Sequence, residues 1–231
     1  MSFAGFDRLE YPGDQSMIDL IGNTNLRWCG FYLAPAPNRP SSTWAGKRAN
    51  LAAVGWGFAP IYVGQQQIDS GKPTLSSVLT SAQGAIDGGA AANLAMNEGF
   101  SSGSVIYLDI ETGGPVQQET FEYAGAWQTQ VTTAGFRAGI YCSYVVLDAL
   151  RQNAVVRTLF FWIFQLRDQG SQNGTYSSPF PTPDLAVTGV GAASVWQYAQ
   201  GQFGTTICWS NGTLDNIDLD VSDFPDPSSP V

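Results

Sequence analysis

Apolar positions along the chain come in two alternating rhythms. Short, dense runs rich in aromatic and β-branched residues predict strands at residues 3–7, 26–33, 58–63, 104–111, 138–142, 159–166, 193–198 and 217–221. Looser stretches between them predict helices at 15–21, 43–54, 80–97, 117–133 and 144–152. The helix at 80–97 is rich in Ala but holds Gly84, Gly88 and Gly89, each weakening it by roughly 1 kcal/mol relative to Ala. Small residues would let that helix approach a sheet closely. Residues 34–42 form a Pro-rich loop, 64–73 a polar loop long enough to be functional, and 168–182 a loop rich in Gly, Ser and Pro. The last residues, 223–231, hold three Pro and are expected to form an exposed tail.

Strands that alternate with helices imply a parallel sheet covered by helices. About eight strands in one domain favour a closed barrel over an open sheet. The expected fold is a single α/β domain over residues 1–222, a (β/α)8 TIM-like barrel. It should be irregular in its last βα units, because helices become hard to find after residue 166. The alternative is an open doubly wound sheet. That would need a Gly-rich phosphate loop after the first strand, and Gly5-Phe6-Asp7-Arg8-Leu9-Glu10 is not one.

Composition narrows the chemistry. With 44% hydrophobic and 13% charged residues, the chain has material for one large core and does not read as disordered. Net charge is −9, from 10 basic and 19 acidic residues. The basic residues are scattered, apart from the pair Lys47-Arg48. Nucleic acid and anionic membranes are therefore poor partners, and a neutral or cationic partner is easier to accept. No apolar stretch approaches the roughly 20 residues of a membrane span, so no membrane insertion is expected, and a monomer is. The N-terminus enters a strand directly and shows no signal peptide. That leaves cytoplasmic location and signal-independent export both open.

There is no His. This removes Ser-His-Asp and Cys-His catalysis and the usual zinc site. The three cysteines, Cys29, Cys142 and Cys208, do not make a disulfide framework, and Cys29 and Cys142 lie in strand-like runs where buried thiols are expected. No Asp-x-Asp-x-Asp-Gly calcium loop is present, so neither metal nor cofactor is expected. Acid–base chemistry has to rest on Asp, Glu, Tyr, Lys or Cys.

The strand at 104–111 reads Ser-Val-Ile-Tyr-Leu-Asp-Ile-Glu. Residues two apart in a strand share a face, so Tyr107, Asp109 and Glu111 lie together and Ile106, Leu108 and Ile110 lie opposite. The apolar face suits packing against helices. The other face carries two carboxylates to the C-terminal end of the strand, where barrel enzymes place catalytic groups. Two nearby carboxylates raise one another's proton affinity. Other strands end alike: Asp7 closes the first, and the last carries Asp218 and Asp220. Aromatics fall at or near strand ends as well, namely Tyr32, Tyr62, Tyr141, Trp162, Trp196 and Tyr198. Their faces can stack on sugar rings. Gln197, between Trp196 and Tyr198, is a polar group in an apolar strand and needs a partner.

Five short stretches carry a resemblance: Gly5-Phe6-Asp7, Gly30-Phe31-Tyr32-Leu33, 106–111 (Ile-Tyr-Leu-Asp-Ile-Glu), Gly139-Ile140-Tyr141 and Trp196-Gln197-Tyr198. Together, over about residues 3–221, they resemble a family of bacterial glycoside hydrolase-like proteins known as domain of unknown function 1906. That family is in turn similar to the family 25 lysozymes, which cleave peptidoglycan glycan strands. The resemblance implies a polysaccharide or peptidoglycan substrate. By position, Glu111 matches the lysozymes' proton donor, Asp109 its acidic partner and Asp7 the acid closing the first strand. Asp218 matches the Asp of the final strand, and Asp220 stands where lysozymes often carry Asn. The long connection between Tyr198 and Ile217, with its Cys208-Trp209, departs from the pattern and leaves the register of Asp218 against Asp220 open. The expected activity is glycoside hydrolysis of a β-linked amino-sugar glycan by carboxylate acid/base catalysis. The alternative is a non-catalytic glycan-binding barrel that keeps the acidic cleft.

Overall fold

The computed structural model describes residues 2–69, 74–158, 160–167, 172–173, 179–188, 191, 193–201, 207–209, 212–214 and 217–229. Within the short strands at 172–173, 207–209 and 212–214 it describes the backbone only. Cys208 and Trp209 are thus placed by backbone alone. The 168–182 loop lies mostly outside the described residues, as do 70–73 of the loop after the third strand.

The strands are β1 (Phe3–Asp7), β2 (Leu26–Leu33), β3 (Gly57–Tyr62), β4 (Val105–Ile110), β5 (Arg137–Ser143), β6 (Phe160–Phe164), β7 (Gln172–Asn173), β8 (Ala193–Gln200), β9 (Ile207–Trp209), β10 (Gly212–Leu214) and β11 (Asp218–Ser222). The helices are α1 (Asp14–Asn23), α2 (Arg48–Ala53), α3 (Ser81–Asn97), α4 (Gln118–Thr133) and α5 (Leu147–Gln152). A closed barrel runs in the order β1-β11-β8-β6-β5-β4-β3-β2, and β10-β9-β7 make a separate small sheet. The fold is the expected α/β TIM-like barrel. Its last units are irregular: between β6 and β8 the described residues hold no α-helix, only the short strand β7 and a 3₁₀ turn, Leu185–Thr188.

The structure departs from an all-parallel barrel at one strand. β11 runs antiparallel to both β1 and β8, with Asp7 opposite Asp218 and Gly5 opposite Asp220. A parallel return needs a crossover connection to the far end of the barrel, and the described residues between β8 and β11 hold no helix for one. The chain instead re-enters from the mouth. Asp218 therefore stands at the mouth and Asp220 one layer deeper.

Strand parity sorts the core into two layers. Ile106, Leu108 and Ile110 pack outward into the cluster under the helices, and Tyr107 packs inward with Trp28, Ile61, Trp162 and Val195. Each fully buried large side chain of these layers contributes roughly 1.5–3 kcal/mol. Glycines make room for the large interior groups. A Cβ on Gly5 would sit 2.1 Å from the Trp28 ring, and one on Gly30 would sit 2.6 Å from Asp7 Cβ.

Three details differ from the sequence reading. The helix expected from residue 43 begins at Arg48, because residues 44–47 form a turn with Gly46 at φ 75°. Gly84 and Gly88 bring α3 against α4 rather than against the sheet: added Cβ atoms would meet the carbonyls of Tyr123 and Trp127 at 2.3 and 2.4 Å. The tail is not simply exposed, since Pro227 and Ser228 are buried. At the end away from the mouth, Ser228 N donates to Phe58 O at 2.7 Å and Val105 N donates to Ser228 O at 2.8 Å. The tail thus bridges β3 and β4 where those strands no longer pair with each other, their ladder being Ile61↔Tyr107 and Tyr62↔Leu108.

Candidate active site

At the mouth of the barrel lies a pocket of about 310 Å³, lined by Asp7, Arg8, Leu9, Glu10, Tyr32, Ile61, Asp109, Glu111, Tyr141, Gln200 and Asp218. Four carboxylates singled out in the sequence, Asp7, Asp109, Glu111 and Asp218, converge here. Glu111 is exposed at the lip, whereas Asp7 and Asp109 are buried. A larger depression of about 560 Å³ lies on the outer surface beside α4, lined by Ser81, Glu122, Gly125, Thr129 and Arg157 among others. It gathers no comparable set of acids.

Each acid is held by donors from neighbouring strands. Tyr32 Oη, from β2, donates to Asp7 Oδ1 at 2.7 Å. On β8, Gln197 points inward and finds the partners its sequence context demanded. It accepts from Tyr141 Oη at 2.6 Å and donates to Asp218 Oδ2 at 2.6 Å. Gly201 N donates to Asp218 Oδ1 at 3.1 Å. One layer below, Trp162 Nε1 donates to Asp220 Oδ1 at 2.9 Å. Trp162 meets Trp28, Tyr107 and Tyr141 edge-on at centroid distances of 5.3–5.8 Å.

The environment sorts these acids by proton affinity. Burial raises Asp7 to about 6, against the opposing pull of the hydrogen bonds from Tyr32 and Asp220. Burial, and then repulsion from Asp7, raise Asp218 to about 8. Asp220 goes well above the usual carboxylate range, through burial and repulsion from Asp7 and Asp218. Burial also lifts Tyr32 and Tyr141 well above their ordinary range, so both stay protonated donors. At neutral pH the mouth thus pairs an ionised Asp7 with a protonated Asp218, two carboxyls whose surroundings push them apart.

Not every aromatic named from the sequence reaches the pocket. Tyr32 and Tyr141 do. Tyr62 is buried beneath the helices against Trp127. Trp196 and Tyr198 pack outward, as alternation with the inward Gln197 requires, and donate to the carbonyls of Gln165 and Pro181. Trp162 is inside the barrel but fully buried. Cys29 and Cys142 are buried and unpaired, as expected.

One supporting residue escaped the sequence reading. Gln66, on the loop after β3, donates to Asp109 O at 2.8 Å and accepts from Glu111 N at 3.1 Å. Its amide thus continues the sheet ladder across the backbone that carries both acids. Gln67 ties the following loop, accepting from Gln117 N at 2.9 Å and donating to Pro115 O at 3.0 Å. Gln65 accepts from Val78 N at 2.9 Å. The run Gln65-Gln66-Gln67 in the loop was the available sign.

Comparisons with known proteins agree with this architecture. The Rv2525c Tat-secreted protein of Mycobacterium tuberculosis superposes with a TM-score of 0.60 at 14% identity, covering 98% of each chain. The spore cortex lytic enzyme SleM of Clostridium perfringens gives 0.63 at 13% identity, over 96% of this chain and 67% of that one. The modular autolysin LytC of Streptococcus pneumoniae, solved with a synthetic peptidoglycan ligand, gives 0.60 at 12% identity over 95% of this chain and 46% of that one. Such likenesses establish a shared fold. No curated protein matches the sequence. A family model for the Rv2525c-like, glycoside hydrolase-like domain matches residues 20–222, from α1 to the end of β11. The chain belongs to that Rv2525c-like, glycoside hydrolase-like family.

Proposed function

We propose that this protein hydrolyses a β-linked amino-sugar glycan, with peptidoglycan as the substrate class. The observation that carries the reading is the convergence of Asp7, Asp109, Glu111 and Asp218, flanked by Tyr32 and Tyr141, in one open pocket at the barrel mouth. Two neighbours of the same fold, a spore cortex lytic enzyme and an autolysin with a peptidoglycan ligand, support the choice of glycan.

Glycoside hydrolysis needs one group to protonate the leaving oxygen and another to stabilise or attack the oxocarbenium-like centre. Glu111, at the lip, gives the proton to the leaving oxygen. Asp109, held by the strand, faces the positive charge that develops at the sugar ring together with Asp7. Asp218 orients a substrate N-acetyl group or the attacking water. Tyr32 and Tyr141 present ring faces and hydroxyls to the sugar.

Proton affinity favours a second assignment of the acid within the same reaction. Asp218, raised to about 8, holds a proton at neutral pH and stands opposite Asp7, so it is the competing donor. Turnover of purified cell wall by the wild type, E111Q and D218N separates the two. The main assignment expects the larger loss in E111Q, and the second expects it in D218N. Glycan that binds without release by the wild type would instead favour a binding barrel.

A further inference from the structure

Asp220 is the one acid of this cluster that the proposed chemistry leaves unused. It is fully buried below the mouth, opposite Gly5. Its Oδ1 accepts from Trp162 Nε1. Asp7 has the same arrangement, its Oδ1 accepting from Tyr32 Oη. The second oxygens, Asp7 Oδ2 and Asp220 Oδ2, are both buried and take no hydrogen bond from any donor among the described residues, and the two carboxyl groups lie close enough to share one. Two ionised carboxylates offer four acceptor oxygens and no donor. Tyr32 and Trp162 supply one proton each, so the contact between the two acids requires a third.

We propose that Asp220 carries that proton and donates it to Asp7, acting as a positioning residue that holds the Asp7 carboxylate toward the pocket. The groups around the pair agree with this placement. Asp218 stands on the same strand as Asp220. Glu111 and Asp109 face it from β4 and its end, and Tyr32 and Tyr141 from β2 and β5. Among the described residues lining the pocket, Arg8 is the single cation, and no arginine or lysine hydrogen bond reaches Asp7 or Asp220. The cost of burial and repulsion from the ionised Asp7 keep the proton on Asp220. Its donation draws Asp7 back toward the ionised form. An amide at this position would give Asp7 a permanent N–H donor in place of the carboxyl O–H.

The test is carboxyl-carbon NMR of protein labelled with 13C-aspartate, titrated from acid to alkaline pH, with D220N and D7N used for assignment. The wild type should show the Asp220 carbon at the protonated position at pH 7 and Asp7 titrating near 6. Asp7 should keep its midpoint in D220N. In D220L, which removes the donor, it should rise by about one unit or more. If D220L does not fold, D220A takes its place. An Asp220 carbon at the ionised position at pH 7 would overturn the proposal. So would an Asp7 midpoint unchanged between wild type and the apolar variant. None of these readings needs turnover. Its effect on activity, in contrast, rests on the glycosidase reading: D220N should retain about tenfold more turnover than D220L. A wild type inactive on cell wall but showing the shared proton removes the glycosidase reading and leaves this one standing.

Discussion

Asp7 and Asp218 face each other across the β1–β11 ladder with proton affinities near 6 and near 8. Both lie above the ordinary aspartate value of about 4 that the unfolded chain would show. The folded state therefore binds more protons than the unfolded state between about pH 4 and pH 8, and stability must fall as pH rises through that window. Denaturant titrations should show the wild type losing on the order of a few kcal/mol between pH 5 and pH 8.5, with D218N losing less. Equal losses in both proteins would mean that Asp218 ionises normally. These acids were legible from the sequence because strand parity and strand ends are local properties. Parity also told against Trp196 and Tyr198, since Gln197 between them could point inward only if they pointed outward. The depth of Trp162 was not legible, because it depends on how far each strand is sheared past its neighbours.

At the scale of elements, the end of β4 is held by the loop after β3. Gln66 bridges Asp109 O and Glu111 N, so it sets the backbone of both acids without lining the pocket. Q66M keeps the length of the side chain and removes both hydrogen bonds. It should lower kcat on cell wall by about ten- to a hundredfold with a smaller change in glycan binding. An equal drop in binding and turnover would point to collapse of the pocket instead. Nothing in the hydrophobic pattern marks Gln66, because loop residues have no period and the contact is made across 43 positions of sequence to Asp109. The reversed direction of β11 was hidden for a related reason. The lack of a helical pattern before it was visible in the sequence, but its consequence depended on knowing where β8 ends in space.

For the whole molecule, the two ends of the barrel differ. The mouth stays open and acidic. The opposite end is sealed by the tail, whose Ser228 joins β3 to β4 and whose Asp226 accepts from Phe58 N at 3.1 Å. Gly57 has no side chain because Pro225 O would lie 2.0 Å from its Cβ. Removing residues 223–231 should therefore cost on the order of 2–4 kcal/mol, from lost hydrogen bonds to strand backbone that the barrel leaves without partners. Thermal unfolding of the truncated chain measures this, and an unchanged Tm would show that the tail merely rests on the barrel. A Pro-rich terminus reads as a solvated end, and its three-residue grip on the core has no signature in composition.

That the four-carboxylate mouth cuts a glycan is tested most directly by counting new reducing ends. Purified peptidoglycan incubated with the wild type, with E111Q and with no protein, then reduced with borohydride, reports each new reducing end as a sugar alcohol. New reducing ends should appear with the wild type, and at least about a hundredfold fewer with E111Q. A folded wild-type protein that binds the same peptidoglycan and creates no reducing ends above the protein-free control would contradict it.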